Sequence, residues 1–150
     1  IFLSLTKNIS LIDCWALTDS TYSYIKMPKK FDDGLDYIKQ YLSNEHEFII
    51  RYGYLLLFNY VKEKNNTSKI LETIKTSNYF YVHMVEAWLI SFCAIYNFET
   101  TYEFLKNSSL DLKTKLKAIS KCVDSFRINE LQKDKLKELR TQLKLIERNN

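Results

Sequence analysis

Length and composition point to a soluble helical protein with room for one hydrophobic core, because the chain has 150 residues of which 46% are hydrophobic and 27% charged. Only two Gly and one Pro occur, which disfavours sheets and their turns, and no apolar run approaches the roughly 18–20 residues of a membrane span. The formal net charge of +4 fits an anionic partner without requiring one.

Eight helices are predicted in chain order. They cover residues 11–26, 31–43, 46–62, 67–76, 79–96, 99–106, 111–126 and 130–147. Apolar residues recur at helical spacing within them, as Phe48, Leu55 and Leu56 illustrate. The segments 66–68 and 109–111 offer N-cap residues just before two of the helices. We therefore expect an all-α fold.

A spacing of 36 residues separates Tyr24, Tyr60 and Tyr96. Helix-pair repeats near this length are typical of α-solenoids, and we expect a right-handed one, with an ordinary helical bundle as the alternative. The same spacing puts Trp15 and Arg51 in one register, and Trp88 lies one position away from it. In a solenoid these three side chains would line neighbouring positions of one wall.

The cysteines and histidines are scattered along the chain. Cys14, Cys93 and Cys122 are odd in number and lie in apolar helical stretches, so we expect buried, reduced thiols and a cytoplasmic protein. His46 and His83 are distant from each other, and no Gly-rich phosphate loop is present. We expect neither a metal nor a cofactor.

Trp15 and Asp19 are four residues apart, so on a helix they face the same way. One interpretation is a core tryptophan near a capping or surface aspartate. The other is an aromatic stacking platform beside a carboxylate that stabilises positive charge during a reaction. The two residues alone leave both interpretations open.

Arg51 interrupts the apolar stretch 48–58, where an arginine is costly unless it is paired or lines a wet groove. It either forms an internal ion pair with a carboxylate such as Asp19 or contacts a phosphate, which suits its forked guanidinium. Trp88, taken alone, predicts core packing.

Basic residues are concentrated in the last third of the chain. One group has few compensating acids and is suited to a phosphate backbone: Lys113, Lys115, Lys117, Lys121 and Arg127. The basic residues of the last predicted helix alternate with Glu138 and Glu147. That pattern is typical of a solvated helix face.

Several of these segments together resemble one family. The segments 81–89 (YVHMVEAWL), 103–107 (EFLKN), 117–121 (KAISK) and 124–127 (DSFR) resemble the DNA alkylation repair (AlkD-type) family of DNA glycosylases. Upstream, Trp15-Ala16-Leu17-Thr18-Asp19 looks like its Trp-x-x-x-Asp element, and 47–52 (EFIIRY) looks like its arginine helix. The likeness covers nearly the whole chain.

This resemblance implies a HEAT-like α-solenoid over residues 1–150 whose concave basic face holds duplex DNA containing alkylated purines. It implies that Asp19 is the catalytic carboxylate, that Trp15 and Trp88 contact the lesion-bearing nucleotide, and that Arg51 contacts the DNA backbone. Lys117, Lys121 and Arg127 are expected to bind phosphates as well. We further expect a monomer without cofactor, located in a bacterial cytoplasm.

The chemistry that the resemblance implies is hydrolysis of an N-glycosidic bond. N3- and N7-alkylated purines are cationic and leave readily, so one carboxylate beside the oxocarbenium-like sugar can suffice. The alternative is a non-catalytic HEAT-like module that binds DNA or protein. The chain begins at Ile1 without Met, inside an apolar run, and we expect it to be the C-terminal part of a longer chain with further N-terminal helices.

Overall fold

A computed structural model describes residues 13–148, and this part of the chain is built from eight α-helices without a β-strand. They are α1 (Trp15–Thr21), α2 (Phe31–Leu42), α3 (Glu47–Leu57), α4 (Thr67–Glu72), α5 (Phe80–Tyr96), α6 (Phe98–Asn107), α7 (Leu112–Asp124) and α8 (Glu130–Arg148). Short 3-10 helices follow α1 at Tyr22–Tyr24 and precede α4 at Lys64–Asn66. The prediction of an all-α fold is confirmed.

The described residues divide into two compact units. The first unit contains residues 13–60 and 77–85, and the second contains residues 61–76 and 86–148. Each unit therefore combines stretches that are not adjacent in sequence. The predictions of a single domain over residues 1–150 and of a right-handed solenoid stay predictions. The apolar run at Ile1 lies outside the described residues.

The first unit is organised around α3, against which both α1 and α2 pack. Ile38 on α2 and Leu55 and Leu56 on α3 are fully buried. Burial of such side chains stabilises a fold by roughly 1.5–3 kcal/mol each. The α3 helix thus provides the apolar face of the unit and also carries Arg51, its one buried cation among the described residues.

Both glycines lie on helices where another residue approaches closely. A Cβ atom at Gly34 on α2 would lie 1.9 Å from the hydroxyl oxygen of Tyr60, and one at Gly53 on α3 would lie 2.9 Å from Cβ of Tyr41. The missing side chain at Gly53 lets α2 and α3 approach, and the one at Gly34 makes room for Tyr60, whose hydroxyl donates to the Pro28 carbonyl at 2.7 Å. Glycine weakens a helix by up to about 1 kcal/mol, so close packing explains its presence.

The second unit packs α4 against α6, and both α6 and α7 against α8. Its fully buried core residues include Ile70, Leu105, Ile119 and Leu136. The predicted cap before α7 is confirmed, because the Asp111 carboxylate accepts from the backbone amide of Thr114 at 2.9 Å. The unit therefore has a core of its own and well-defined helix ends.

Three predicted helices are shorter than the apolar pattern indicates. Instead of continuing to residue 26, α1 ends at Thr21, where a 3-10 turn leads into extended backbone at Ile25. Instead of continuing to residue 62, α3 ends at Leu57, because Phe58, Asn59 and Tyr60 donate their amides three residues back instead of four. The Asn59 side chain also donates to the Leu56 carbonyl at 2.9 Å, which competes with the helical bond. At the end of α4, Thr73 makes the equivalent contact with the Ile70 carbonyl at 2.7 Å.

The cysteine prediction holds for two of three residues. Cys93 and Cys122 are buried and reduced, but the prediction is wrong for Cys14, which is exposed just before α1. Cys14 is the N-cap residue of α1 and has extended backbone, so the helical spacing of apolar residues does not determine the direction of its side chain. No helix of the described residues has the length and apolar character that crossing a membrane requires.

Candidate functional site

The centre of the first unit's polar contacts is a two-point ion pair between Arg51 and Asp19. Nε of Arg51 donates to Oδ1 of Asp19 at 2.9 Å, and Nη2 donates to Oδ2 at 2.6 Å. The Arg51 side chain is 7% exposed and that of Asp19 is 24% exposed. Paired charges with bidentate geometry are among the strongest hydrogen bonds in proteins. The internal ion pair, one of the two interpretations of Arg51, is therefore confirmed.

The third donor of the guanidinium holds the start of α5. Nη1 of Arg51 donates to the carbonyl oxygen of Tyr81 at 2.9 Å, and the amide of Tyr81 donates to Oε1 of Glu47 at 2.6 Å. Glu47 and Arg51 are four residues apart on α3, so one face of α3 binds both polar groups of the Tyr81 backbone. The amide is one of those that the first turn of a helix leaves without an intrahelical partner. One guanidinium thus joins α1, α3 and the beginning of α5.

The carboxylate of Asp19 keeps acceptor capacity on its exposed side. Oδ1 accepts from Arg51 and lies 3.0 Å from the hydroxyl oxygen of buried Thr18, which also contacts the Trp15 carbonyl at 2.7 Å. Among the described residues, Oδ2 accepts only from Arg51. A carboxylate oxygen has more than one lone pair. Asp19 can therefore remain paired with Arg51 and still accept from water or lie against a developing cation.

Trp15 begins α1 one turn before Asp19, and its side chain is 50% exposed. The interpretation as a core tryptophan is therefore wrong. A large aromatic ring that is half exposed leaves surface on which another ring can stack. A half-exposed indole and a part-exposed carboxylate thus occur at the i and i+4 positions of the same short helix.

Trp88 belongs to the second unit. It lies on α5, is partly buried, and its ring meets that of Phe92 edge-to-face with centroids 6.0 Å apart. Ser91 donates to the Trp88 carbonyl at 2.7 Å. Its predicted position beside Trp15 and Arg51 stays a prediction.

The basic residues of the second unit differ in their surroundings. Lys117 is exposed and Lys121 is part-exposed on α7, and neither forms an ion pair with a carboxylate of the described residues. Lys113, Lys117 and Lys121 are spaced by four, so they share a face of α7 along about 12 Å. Arg127 is exposed beyond the helix. These surroundings are compatible with phosphate contacts, which stay a prediction.

Lys115 is the exception within this basic group, because it is buried. Its ammonium donates to the carbonyl of Ser108, the residue that follows the last turn of α6, at 2.5 Å. A cation at a helix C-terminus is favoured by the helix dipole. Burial lowers the pKa of Lys115, while the negative charge of Asp111 opposes that shift. The interpretation of Lys115 as part of a phosphate-binding run is therefore wrong.

A cluster of tyrosines occupies the interior of the first unit. The hydroxyls of Tyr37 and Tyr41 form a short hydrogen bond, and the rings of Tyr41 and Tyr52 meet edge-to-face at 5.7 Å. The hydroxyl of Tyr52 is buried without a hydrogen-bond partner among the described residues. Burial, with a smaller contribution from Tyr37, raises the pKa of Tyr52 to about 12. These groups are set up for packing and not for proton transfer near neutral pH.

The buried thiols are unreactive for the same reason. Burial raises the pKa of Cys93 and of Cys122 to about 12, with Cys122 adding to the effect on Cys93. At neutral pH both are protonated, and a thiol is a poor nucleophile. Within residues 13–148, no three His, Cys, Asp or Glu side chains are grouped in a way that would hold a metal ion.

Comparison with known proteins gives no assignment, since no family model, no curated protein and no solved structure matches the chain. The site residues that sequence patterns did not identify are Glu47 and Tyr81, which contribute a carboxylate and a backbone carbonyl. The spacing of Glu47 and Arg51 on one helix was a usable signal. No sequence signal could have identified the carbonyl of Tyr81, because every residue type has a backbone carbonyl.

Proposed function

We propose that the chain excises cationic alkylated purines from duplex DNA, as a DNA glycosylase of HEAT-like solenoid architecture. The observation that carries the proposal is the Asp19 carboxylate, held at both oxygens by a buried guanidinium yet 24% exposed, one turn from a half-exposed indole. A fixed negative charge that need not reorganise during reaction is the kind of group that stabilises a developing cation. The resemblance to alkylpurine glycosylases supports the same assignment.

The proposed reaction is hydrolysis at C1′ of the damaged nucleotide. The bond between C1′ and the purine nitrogen breaks, and its electron pair neutralises the positive charge of the alkylated base. The sugar becomes oxocarbenium-like, and the Asp19 carboxylate stabilises that charge. Water then bonds to C1′ and loses a proton to solvent, leaving the free base and an abasic site. Because the base departs neutral, no general acid is needed.

Arg51 is proposed as the positioning residue for Asp19. Its bonds to both carboxylate oxygens fix the carboxylate's orientation, and its bond to the Tyr81 carbonyl fixes the guanidinium. We favour this role over the direct DNA-backbone contact that the resemblance implies, since the side chain is buried and three of its five N–H donors are engaged within the protein. That Arg51 also binds a DNA phosphate stays a prediction.

Trp15 is proposed to contact the damaged nucleotide. Its exposed indole can stack on a cationic purine, and a cation–π contact of this kind is worth about 0.5–2 kcal/mol. Trp88 in the second unit is assigned the same type of contact by the resemblance alone. Lys117, Lys121 and Arg127 are assigned to the phosphates of the duplex.

A non-catalytic DNA- or protein-binding module is the alternative, and the ion pair itself favours it. A neutral Arg51–Asp19 pair that joins three helices is what a purely structural role would require. Breaking such a pair is costly wherever it occurs, so its presence does not demand catalysis. The two functions differ in whether Asp19 acts on a substrate.

The test is an excision assay on a duplex containing one 7-methylguanine, with the same duplex containing guanine as the control. We expect release of free 7-methylguanine and alkali-labile abasic sites from the first duplex only. A Trp15→Ala variant should lose excision by about tenfold while melting within a few degrees of the unchanged chain, since the indole is half exposed. Tight duplex binding with no release of 7-methylguanine would favour the alternative.

A further inference from the structure

The most exposed large apolar side chain of the described residues is Phe126, at 93%. It lies in the turn between α7 and α8, in the second unit. A phenylalanine held almost wholly in water gains nothing from burial of its ring. The ring is therefore accessible to a ligand that could cover it.

The exposure of Phe126 is imposed by its neighbours on both sides. Cys122 and Ile128 are buried, and the amide of Ser125 donates to the Cys122 carbonyl at 3.2 Å. Arg127 is fixed by two contacts with Tyr96: its Nη2 donates to the hydroxyl at 2.9 Å, and its guanidinium carbon lies 5.0 Å from the ring centroid. The backbone amide of Arg127 also donates to Oγ of Ser125 at 3.2 Å. The turn is anchored at both ends and presents the ring outward.

The charged residues of α7 and of the turn that follows it are mostly positive. Arg127 follows Phe126 directly, and Lys117 and Lys121 lie on the preceding helix without ion-pair partners among the described residues. Asp124 is the one acidic residue between 112 and 129, and the next acid, Glu130, forms an ion pair with Lys133 at 3.0 Å. The side chains next to the ring, those of Ser125 and Arg127, are polar, whereas a segment that inserts into a bilayer presents several adjoining apolar residues. An exposed flat ring that precedes an arginine and follows a lysine-rich helix fits a polyanion that carries flat apolar rings.

We propose that Phe126 stacks on a nucleobase of DNA whose base faces are open, while Lys121 and Arg127 bind the flanking phosphates. Open base faces occur in single strands and are hidden in an intact duplex, so single-stranded DNA is the preferred ligand. Aromatic residues beside a positively charged track are the common means of binding single strands. The proposal shares Lys121 and Arg127 with the duplex contacts proposed above. It goes beyond excision and does not rest on it, because stacking by Phe126 requires neither a damaged base nor Asp19.

The test measures binding of the full 150-residue chain to labelled single-stranded oligothymidylate by fluorescence anisotropy. Phe126→Ala should weaken binding by about 5- to 100-fold, the range found for removal of one stacking residue, and Phe126→Trp should restore it. Leu131→Ala is the matched control, because Leu131 is another apolar residue of the same unit, 72% exposed, without a flat ring. We expect that variant to bind as the unchanged chain does.

Two further probes separate stacking from charge. An oligomer made only of abasic residues keeps the phosphates but has no bases, so Phe126→Ala and the unchanged chain should bind it equally. Lys121→Gln should lower the dependence of log affinity on log salt by about 0.7, the contribution of one phosphate contact to a single strand, whereas Phe126→Ala should leave that slope unchanged.

Three outcomes would overturn the proposal. The first is equal binding of oligothymidylate by Phe126→Ala and the unchanged chain. The second is an equal loss on the abasic oligomer. The third is binding of oligothymidylate by neither protein. In that case, a requirement for Phe126 in self-association, measured by sedimentation, or in binding to vesicles containing phosphatidylserine would identify the other occupant of this surface. Absence of 7-methylguanine excision would leave the proposal intact, so its failure and that of the proposed function are distinguishable.

Discussion

Each unit of the described chain buries one strongly basic side chain, and the two are accommodated in different ways. In the first unit Arg51 is neutralised by the Asp19 carboxylate and also donates to the Tyr81 carbonyl. In the second unit Lys115 donates to the Ser108 carbonyl, and burial lowers its pKa. Arg51 is thus half of a pair that depends on both members, whereas Lys115 is a single charge held by a helix end.

The largest effect is expected at Arg51. Arg51→Met removes the cation and leaves Asp19 beside an apolar side chain, with the Tyr81 carbonyl short of a donor. Removing one partner of a buried pair lowers the free energy of unfolding by about 3–5 kcal/mol. Because Asp19 is partly exposed, we expect a loss at the lower end, about 3 kcal/mol. Urea unfolding monitored by circular dichroism measures it.

The matched control for Arg51→Met is Lys39→Met. Lys39 pairs with Asp36 at 2.8 Å, but both side chains are exposed, and such pairs contribute about 0–1 kcal/mol. A similar loss of stability in the two variants would contradict the account of the Arg51 pair.

The Lys115 prediction concerns pH. Because the pKa of Lys115 is lowered in the folded state, the unfolded chain binds the proton more tightly, and the folded chain gains stability as pH rises through the window from that lowered pKa to 10.5. In Lys115→Met this gain is absent. At pH 7 the free energy of unfolding of the variant should lie within about 1 kcal/mol of that of the unchanged chain. The lost hydrogen bond to Ser108 destabilises the variant, and removal of the buried charge stabilises it.

The measurement is unfolding of both chains at several pH values between 7 and 10.5. The stability of the unchanged chain relative to Lys115→Met should rise across that series. A constant difference would show that the ammonium is not desolvated.

A gain of stability is expected at Tyr52, whose buried hydroxyl has no partner among the described residues. Tyr52→Phe should stabilise the chain by about 1 kcal/mol at neutral pH. The gain should grow above pH 10, because the unfolded tyrosine ionises there while the folded pKa is about 12. Tyr60→Phe is the control and should lose about 1 kcal/mol, since Tyr60 donates to the Pro28 carbonyl at 2.7 Å. Thermal melts should show a higher melting temperature for Tyr52→Phe and a lower one for Tyr60→Phe than for the unchanged chain.

The smallest effect on stability is expected at Lys117, because it is exposed and forms no ion pair with the described residues. Lys117→Gln should change stability by less than about 0.5 kcal/mol. On duplex DNA it should lower the dependence of log affinity on log salt by about 0.9, the contribution of one phosphate contact. Lys115→Met should leave that slope unchanged. Equal slopes for the two variants would contradict the distinction between surface and buried lysines.

The order and approximate position of all eight described helices could be predicted, because apolar spacing is a local property of the sequence. The end of α3 could not, since the competing contact of Asn59 with the Leu56 carbonyl interrupts a pattern that continues to Val61. The arrangement of helix pairs depends on contacts between distant segments. A 36-residue spacing of tyrosines does not determine those contacts, since Tyr24 is exposed and Tyr60 is buried.

The candidate site was partly predictable for a related reason. A cation within an apolar stretch implies a partner, and Asp19 was among the candidates for Arg51. The exposure of Trp15 and the burial of Lys115 depend on tertiary packing, and neither could be inferred from neighbouring residue types. Lys115 and Lys117 are indistinguishable as sequence letters, yet one lies against a helix end and the other faces solvent.

The most direct test of the central claim is Asp19→Asn, assayed for excision of 7-methylguanine, binding to undamaged duplex and thermal melting. Asparagine keeps the shape and removes the charge. If Asp19 stabilises the oxocarbenium-like sugar, excision should fall by about 10²–10³ while duplex binding is unchanged or tighter. The ion pair predicts a lower melting temperature as well, whichever function is correct. Excision at the rate of the unchanged chain would contradict the catalytic assignment and leave Asp19 as the partner of Arg51 alone.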